Sequence, residues 1–344
     1  MALAKSKYND LLKNIGFTIE TGRNNALSAL NEQILMTYWE IGRHIIEFEQ
    51  HGSERAEYGT ALINNLSNDL KTRHGRGFSR SNIQMMRLFY IKYPIYQTSG
   101  KTRKSQTSGK LTWSHYSELL GVSDDRARAF YEKQGIKENW SVRELKRQID
   151  SALFHRLALS KDKKSVMALA AKGYHIATTG DLIKDPYVFE FLKIPESNRV
   201  TEAALEKKLI DNLQGFLLEL GKGFSFVARQ FRITLDNKHF RIDLVFYHRI
   251  LKCFILIDLK TRKVKHGDIG QMNLYLNYFK EEENTEGDNE PIGIIIAADK
   301  HEYLVKYATG GLSNKIFVSK YQLYLPDKKL LEQKIKEIID AHKF

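Results

Sequence analysis

The chain has 344 residues, 54 Lys or Arg against 41 Asp or Glu, and a formal net charge of +13. With 42% hydrophobic and 28% charged residues it is expected to form two ordinary globular domains and not to stay disordered. Its single cysteine, Cys253, excludes an internal disulfide and a cysteine-based zinc site, and no apolar run is long enough for a membrane span. The opening MALAKSKYNDLLKN breaks into charge at once, so no signal peptide is read and a cytoplasmic protein is expected.

Residues 1–157 read as a helical nucleic-acid-binding domain. Leu27, Leu30, Ile34, Tyr38, Ile41, Ile45 and Phe48 follow the three-and-four spacing of an amphipathic helix, and Tyr58, Leu62, Leu66 and Leu70 mark a second. The turn RHGRG leads to Ser79, the expected cap of the helix RSNIQMMRLFYIKY. On that helix Ile83, Met86, Tyr90 and Tyr93 are expected inward, with Arg80, Gln84 and Arg87 on the opposite side. Helix, glycine turn and helix with basic and amide groups outward is the arrangement of a helix-turn-helix entering a major groove. An ordinary solvated face is the competing reading, but between Lys71 and Lys110 there are ten Lys or Arg and no Asp or Glu. A polyanion is the expected partner of such a window. Arg76 in the turn and Lys101, Arg103 and Lys104 in the loop YQTSGKTRKSQTSGK, where QTSGK occurs twice, are expected to contact phosphates. That loop also reads as a tolerated insertion. Helices resume at Leu111; Ser123 and Asp124 open one, and Ser141 with Glu144 forms a capping box for VRELKRQIDSALFHRL, read as one helix. Trp113, Tyr116, Phe130, Tyr131 and Trp140 read as packing residues. The lysine-rich SKDKKS falls in a linker over 158–184.

A second domain is expected over 185–344. TEAALEKKLIDNLQGFLLELGKG reads as one helix capped by Thr201, with Glu206 on its core side. Two apolar runs, Ile242–Tyr247 and Cys253–Ile257, read as a hairpin. Asp243 lies in the first run, and Asp258 and Lys260 follow the second, so three ionisable groups sit in sequence that otherwise asks to be buried. Asp258 and Lys260 project to the same face of a strand while Leu259 packs the other way. Pairing brings Asp243 beside them, giving two carboxylates and an ammonium at one point, as a hard divalent cation and a phosphate require. The alternative is a plain ion pair between Lys260 and one aspartate. HGDIGQMNLYLNYF reads as a helix with Gln271 and Tyr275 one turn apart, Ile292–Ala298 as a strand, and Lys328 onward as a closing helix. The acidic EEENTEGDNEP reads as a solvated loop, and no histidines show paired ligand spacing.

These segments resemble the YhcG-type nucleases of the PD-(D/E)XK, or restriction-endonuclease-like, superfamily. The resemblance is carried by DPYVFEFL, LEKKLIDNLQGFLLELGKGFSFVARQ, RIDLVFYHR, IDLK and GQMNLYLNY, with WEIGRHI, FSRSNIQMMRLFY, TWSHYSELL and ENWSVRELKRQI in the first half. It implies an α-helical N-terminal domain, helix-turn-helix-like, and an α/β restriction-endonuclease-like domain with a central mixed sheet flanked by helices. It further implies that Asp243 and Asp258 hold Mg²⁺, for which Mn²⁺ substitutes, with Glu206 completing the acidic cluster. Lys260 would orient or activate the attacking water and Gln271 support the site. No proline precedes Asp243, and Asp258 stands where relatives more often carry Glu. The expected function is Mg²⁺-dependent hydrolysis of phosphodiester bonds in DNA, in genome defence, restriction or repair, as a homo-oligomer or within a defence complex and away from membranes. A catalytically silent DNA-binding adaptor and an RNase are the alternative readings.

Overall fold

The computed structural model describes residues 2–51, 61–94, 110–159, 163–174, 179–195 and 200–340. Tyr58, Lys101, Arg103, Lys104 and the start of the SKDKKS run lie outside the described residues. The chain divides into two compact units, Met1–Lys146 and Arg147–Phe344.

In the first unit α1 runs from Ala2 to His51, α2 from Leu62 to His74 and α3 from Arg80 to Lys92. Ser79 caps α3 as expected, its hydroxyl accepting from the Asn82 amide at 3.2 Å. Gly42 lets α1 and α3 approach closely, since a Cβ there would fall 2.2 Å from the Met86 carbonyl oxygen. The expected apolar stripe of α1 is met in part: Ile45 is buried and Ile34, Tyr38 and Ile41 are part-buried. Leu35, Trp39, Ile45 and Ile46 are buried, whereas Leu27, Leu30 and Phe48 are exposed. Tyr90 is only part-buried, against Trp39, and Phe89 takes the inward place. Helices α4 (Trp113–Leu120) and α5 (Asp125–Glu138) complete this packing, with Asp124 capping α5. Trp113 donates to Asn82 Oδ1 at 2.7 Å and meets Phe89 edge-on, so it packs as expected.

The segment VRELKRQIDSALFHRL forms two helices, not one: α6 (Val142–Asp150) and α7 (Leu153–Leu159). Ala152 at φ 52° breaks the run between them. Ser141 and Glu144 make the expected reciprocal cap of α6, at 2.7 and 3.3 Å. In the second unit, Arg156 Nη1 donates to Glu219 Oε1 at 2.6 Å, and Arg147 reaches Glu219 Oε2 and Glu190 Oε1 at 3.2 and 2.7 Å. Lys184 donates to the Glu219 carbonyl. These three cations hold the fully buried Glu219 carboxyl down at about 2 in spite of its burial.

Helix α8 (Lys163–Lys172) and the two-residue strand β1 (Tyr187–Val188) follow. The expected single helix after Thr201 is again two, α9 (Glu202–Asp211) and α10 (Leu213–Leu220). Asn212 leaves the helical region at φ −118° and turns its side-chain amide onto the Lys208 carbonyl at 2.9 Å, ending α9. Then come β2 (Phe224–Leu235), β3 (Lys238–His248), β4 (Cys253–Lys263), α11 (His266–Tyr278), β5 (Ile292–Asp299), α12 (Glu302–Thr309), β6 (Lys315–Gln322) and α13 (Lys328–Asp340).

The sheet order is β1-β6-β5-β4-β3-β2. β2, β3 and β4 are antiparallel neighbours, whereas β4, β5, β6 and β1 pair in parallel, with α11 and α12 as the crossovers between parallel strands. One face packs Leu205, Leu209, Phe216 and Leu220 on Phe246, Ile255, Ile257 and Leu259. The other packs Ile269, Met272, Tyr275 and Leu276 on Val245, Leu256 and Ile295. β5 is buried on both faces, which is why Ile292–Ala297 reads as an unbroken apolar run. This is a helical N-terminal region followed by a mixed six-stranded sheet flanked by helices, the expected restriction-endonuclease-like architecture.

Candidate active site

The site forms where the antiparallel and parallel halves of the sheet meet. The β3–β4 ladder runs from His248–Cys253 to Leu244–Ile257 and ends one step before Asp243 and Asp258. β4 continues in register with β5 through Asp258–Ile295 and Lys260–Ala297. At the end of the β3–β4 ladder, Asp243 Oδ2 accepts from the Leu259 backbone N–H at 2.8 Å. The opening between the strands thus carries a carboxylate in place of a ladder bond.

Period-two alternation then sets the faces. Leu259 goes to the apolar core, while Asp258 and Lys260, 3% and 8% exposed, share the other side of β4. Lys260 Nζ lies 2.6 Å from Asp258 Oδ2. Burial pushes the Asp258 carboxyl up to about 7, with Lys260 opposing the rise and the neighbouring Asp243 adding to it. Burial works against the Lys260 ammonium, but Asp258 outweighs it and leaves the amine raised.

Helix α9 delivers two acids one turn apart. Glu206 is 4% exposed and its carboxyl is raised, first by burial and then by Asp243, against the hydrogen bond from Gln230. Glu202 lies 3.9 Å from Lys260 Nζ and accepts from the Thr261 amide at 3.2 Å. Gln230 joins the acids: its Nε2 donates to Glu206 Oε2 at 2.5 Å and to Asp243 Oδ1 at 3.1 Å. Its backbone sits at φ 49° inside β2, a conformation that costs on the order of 1 kcal/mol or more for a residue with a Cβ. Arg229 Nε stands 3.5 Å from Glu206 Oε1.

Gln271 does not touch the carboxylates. It donates to the Tyr275 hydroxyl, which donates to the Arg241 carbonyl at 3.0 Å. Of the groups expected to bind nucleic acid, Arg76, Arg80 and Gln84 are exposed. Arg87 is engaged instead by Glu49, both carboxylate oxygens at 2.9 Å from its Nε, because α1 and α3 pack side by side.

Gln230, Glu202 and Arg229 were not singled out from sequence. Reading FSFVARQFRITL as a strand beside RIDLVFYH would have set Gln230 next to Asp243, and Glu202 stands four residues before Glu206 on one helical face.

The oxygen donors Asp243, Asp258 and Glu206 suit a hard divalent cation. Two observations fit one: the raised Asp258 carboxyl, and Glu206 Oε1, which is buried, accepts no hydrogen bond and has only the Arg229 guanidinium near it at 3.5 Å. Among the described residues no three His, Cys, Asp or Glu already form a cage. The Gln230 amide and the Lys260 ammonium contact the acids instead.

Residues 180–336 match the YhcG PDDEXK nuclease domain, and residues 14–156 match the DUF1016 N-terminal domain. The chain is 38% identical over 352 residues to "Putative nuclease YhcG" of Escherichia coli (strain K12), covering 95% of this chain and 93% of that one. The chain belongs to the YhcG family of PDDEXK nucleases. Solved structures with a similar region include a repair endonuclease from Pyrococcus abyssi, 22% identical with a TM-score of 0.27, over 38% of this chain and 50% of that one. The EndoMS–dsDNA2 complex is 14% identical with a TM-score of 0.26, over 39% of this chain and 50% of that one. The likeness therefore spans about half the length of each solved chain. Within the YhcG nuclease match fall Glu206, Gln230, Asp243, Asp258, Lys260 and Gln271. PDDEXK nucleases work with divalent metal ions, consistent with this donor set. Among the described residues no helix is long and apolar enough to cross a membrane.

Proposed function

We propose that this YhcG-family chain is an Mg²⁺-dependent nuclease that hydrolyses phosphodiester bonds in DNA. One observation carries the reading: Asp243 and Asp258 meet where the ladder opens, with Lys260 Nζ 2.6 Å from Asp258 and burial raising the Asp258 carboxyl. Two acids sharing a buried corner favour a cation between them. Asp243, Asp258 and Glu206 would hold Mg²⁺, which when bound polarises a phosphate and acidifies water. Lys260 is the donor that steadies the attacking oxygen or the charge developing on the phosphate. Gln271 acts at one remove, fixing through Tyr275 the start of β3 that carries Asp243.

DNA as the polymer is supported by the ten cations between Lys71 and Lys110 and by exposed Arg76, Arg80 and Gln84 around the turn into α3. Lys101, Arg103 and Lys104 would add phosphate contacts. Arg87, held by Glu49, is left out of that surface.

The test is cleavage of labelled duplex, single-stranded and branched DNA and of RNA, with Mg²⁺ or Mn²⁺, by the parent chain and by Asp258→Ala. Cleavage of a DNA form that Asp258→Ala abolishes is the expected result; preferential cleavage of RNA would reassign the substrate. A second reading, a nucleic-acid-binding adaptor without turnover, is favoured by the ammonium and amide that contact the acids. Binding without cleavage in either metal would establish it.

A further inference from the structure

From Lys7 to Leu30 every residue of α1 is exposed except Gly16 and Ser28, which are part-buried. This stretch spans roughly 36 Å at 1.5 Å per residue. It is a poor free-standing helix, with Gly16, Gly22 and four asparagines, Asn9, Asn14, Asn24 and Asn25. Yet at about 100° per residue Tyr8, Leu12, Ile15, Ile19, Gly22 and Ala26 fall within an arc of roughly 80°. Tyr8 is 58%, Leu12 50%, Ile15 47% and Ile19 49% exposed. Leu11 and Leu30 flank the same side, whereas Lys13, Glu20 and Asn24 lie opposite, together with one apolar residue, Phe17, 72% exposed.

The arm carries Lys7, Lys13 and Arg23 against Asp10 and Glu20, nearly balanced in a chain of net charge +13. A phosphate backbone or an anionic lipid surface would call for excess positive charge here. Its pattern matches itself instead. The six seam positions are spaced four, three, four, three and four, which reads the same in both directions about residue 17. An antiparallel copy in that register sets Tyr8 against Ala26, Leu12 against Gly22 and Ile15 against Ile19. Large faces small in two of the three layers, and a Cβ at Gly22 would meet nothing within 4 Å, so the space is open. A parallel copy would set Gly22 on Gly22 and Tyr8 on Tyr8. Beyond the arm, α1 enters its own core at Leu35, 1% exposed.

We propose that the exposed half of α1 is a dimerisation arm that pairs, antiparallel, with the same arm of a second copy of this chain across the Tyr8–Ala26 seam. Such a contact is isologous and closes at two copies.

The full-length chain at about 10 μM should sediment as a dimer, a concentration at which even a modest specific interface is populated. Ile15→Glu with Ile19→Glu should weaken self-association at least ~100-fold, as two buried charges facing each other in each of the two central layers require. Asn24→Glu, on the far side, should leave it unchanged. Tyr8→Cys with Ala26→Cys should give an oxidised covalent dimer, and neither substitution alone should, since the native Cys253 is buried. A monomeric parent, a dimer that survives the double glutamate variant, or cross-linking by Tyr8→Cys alone would each overturn the proposal. The cysteine pair tests the register even if a glutamate variant folds poorly.

Discussion

Lys260 Nζ lies 2.6 Å from Asp258 Oδ2, two residues back on the same strand and both nearly buried. The pair leaves each charge dependent on the other, because a lone buried carboxylate costs several kcal/mol. Replacing Lys260 with Met keeps the volume and removes the cation. Cleavage should fall by at least ~100-fold while duplex affinity stays within about threefold. Cleavage at the parental rate in Mg²⁺ would remove Lys260 from the chemistry.

The same burial gives a pH dependence. Folded Asp258 is pushed up to about 7 from 3.8, so between those values the folded state binds more protons than the unfolded one. Metal-free protein should therefore lose stability as pH rises from about 4 to about 7. A divalent cation needs the ionised form, so thermal stabilisation by Mg²⁺ should be larger at about pH 8 than at about pH 5.5. Asp258→Asn should flatten both trends; equal Mg²⁺ shifts at the two pH values would contradict the assignment.

Gln230 separates two acids with a neutral amide. Gln230→Glu puts a third carboxylate beside Glu206 and Asp243 and should lower the stability of the metal-free protein by about 1–3 kcal/mol. Added Mn²⁺ should restore part of that loss, and thermal unfolding with and without the ion measures it. Gln230→Gly relieves the backbone at φ 49° while deleting the amide, so its loss should be smaller than that of Gln230→Leu.

Glu219 answers to acid in the opposite sense. Its folded carboxyl, held at about 2 against an ordinary 4.5, contributes stability that is complete above about 4.5 and is lost as pH falls toward 2. Glu219→Gln should lower stability at neutral pH by on the order of 3 kcal/mol, since Arg147, Arg156 and Lys184 keep their charge without its counterpart. The variant should also show a shallower acid transition by circular dichroism. Unchanged acid unfolding would mean that other carboxyls govern it.

How far the sequence revealed this molecule depended on whether each signal was local. Ser79, Asp124, and Ser141 with Glu144 were legible as caps because a side chain satisfies a backbone amide two or three residues away. Asp243, Asp258 and Lys260 stood out as charges inside apolar runs. The breaks at Asn212 and Ala152 were not visible, because the apolar stripe stays in phase across each. The Arg147–Arg156–Glu219 network carries no local sequence signal, since its members are brought together only by tertiary packing. Arg87 looked like an outward base contact for the same reason: its partner Glu49 comes from another helix.

The Leu259 amide proton, bonded to the Asp243 side chain of the neighbouring strand β3, has a further use. It is a native reporter placed inside the sheet and sensitive to whatever draws on that carboxylate. Its exchange rate and chemical shift should follow cation loading with no substrate present and no label added, so occupancy can be read separately from turnover.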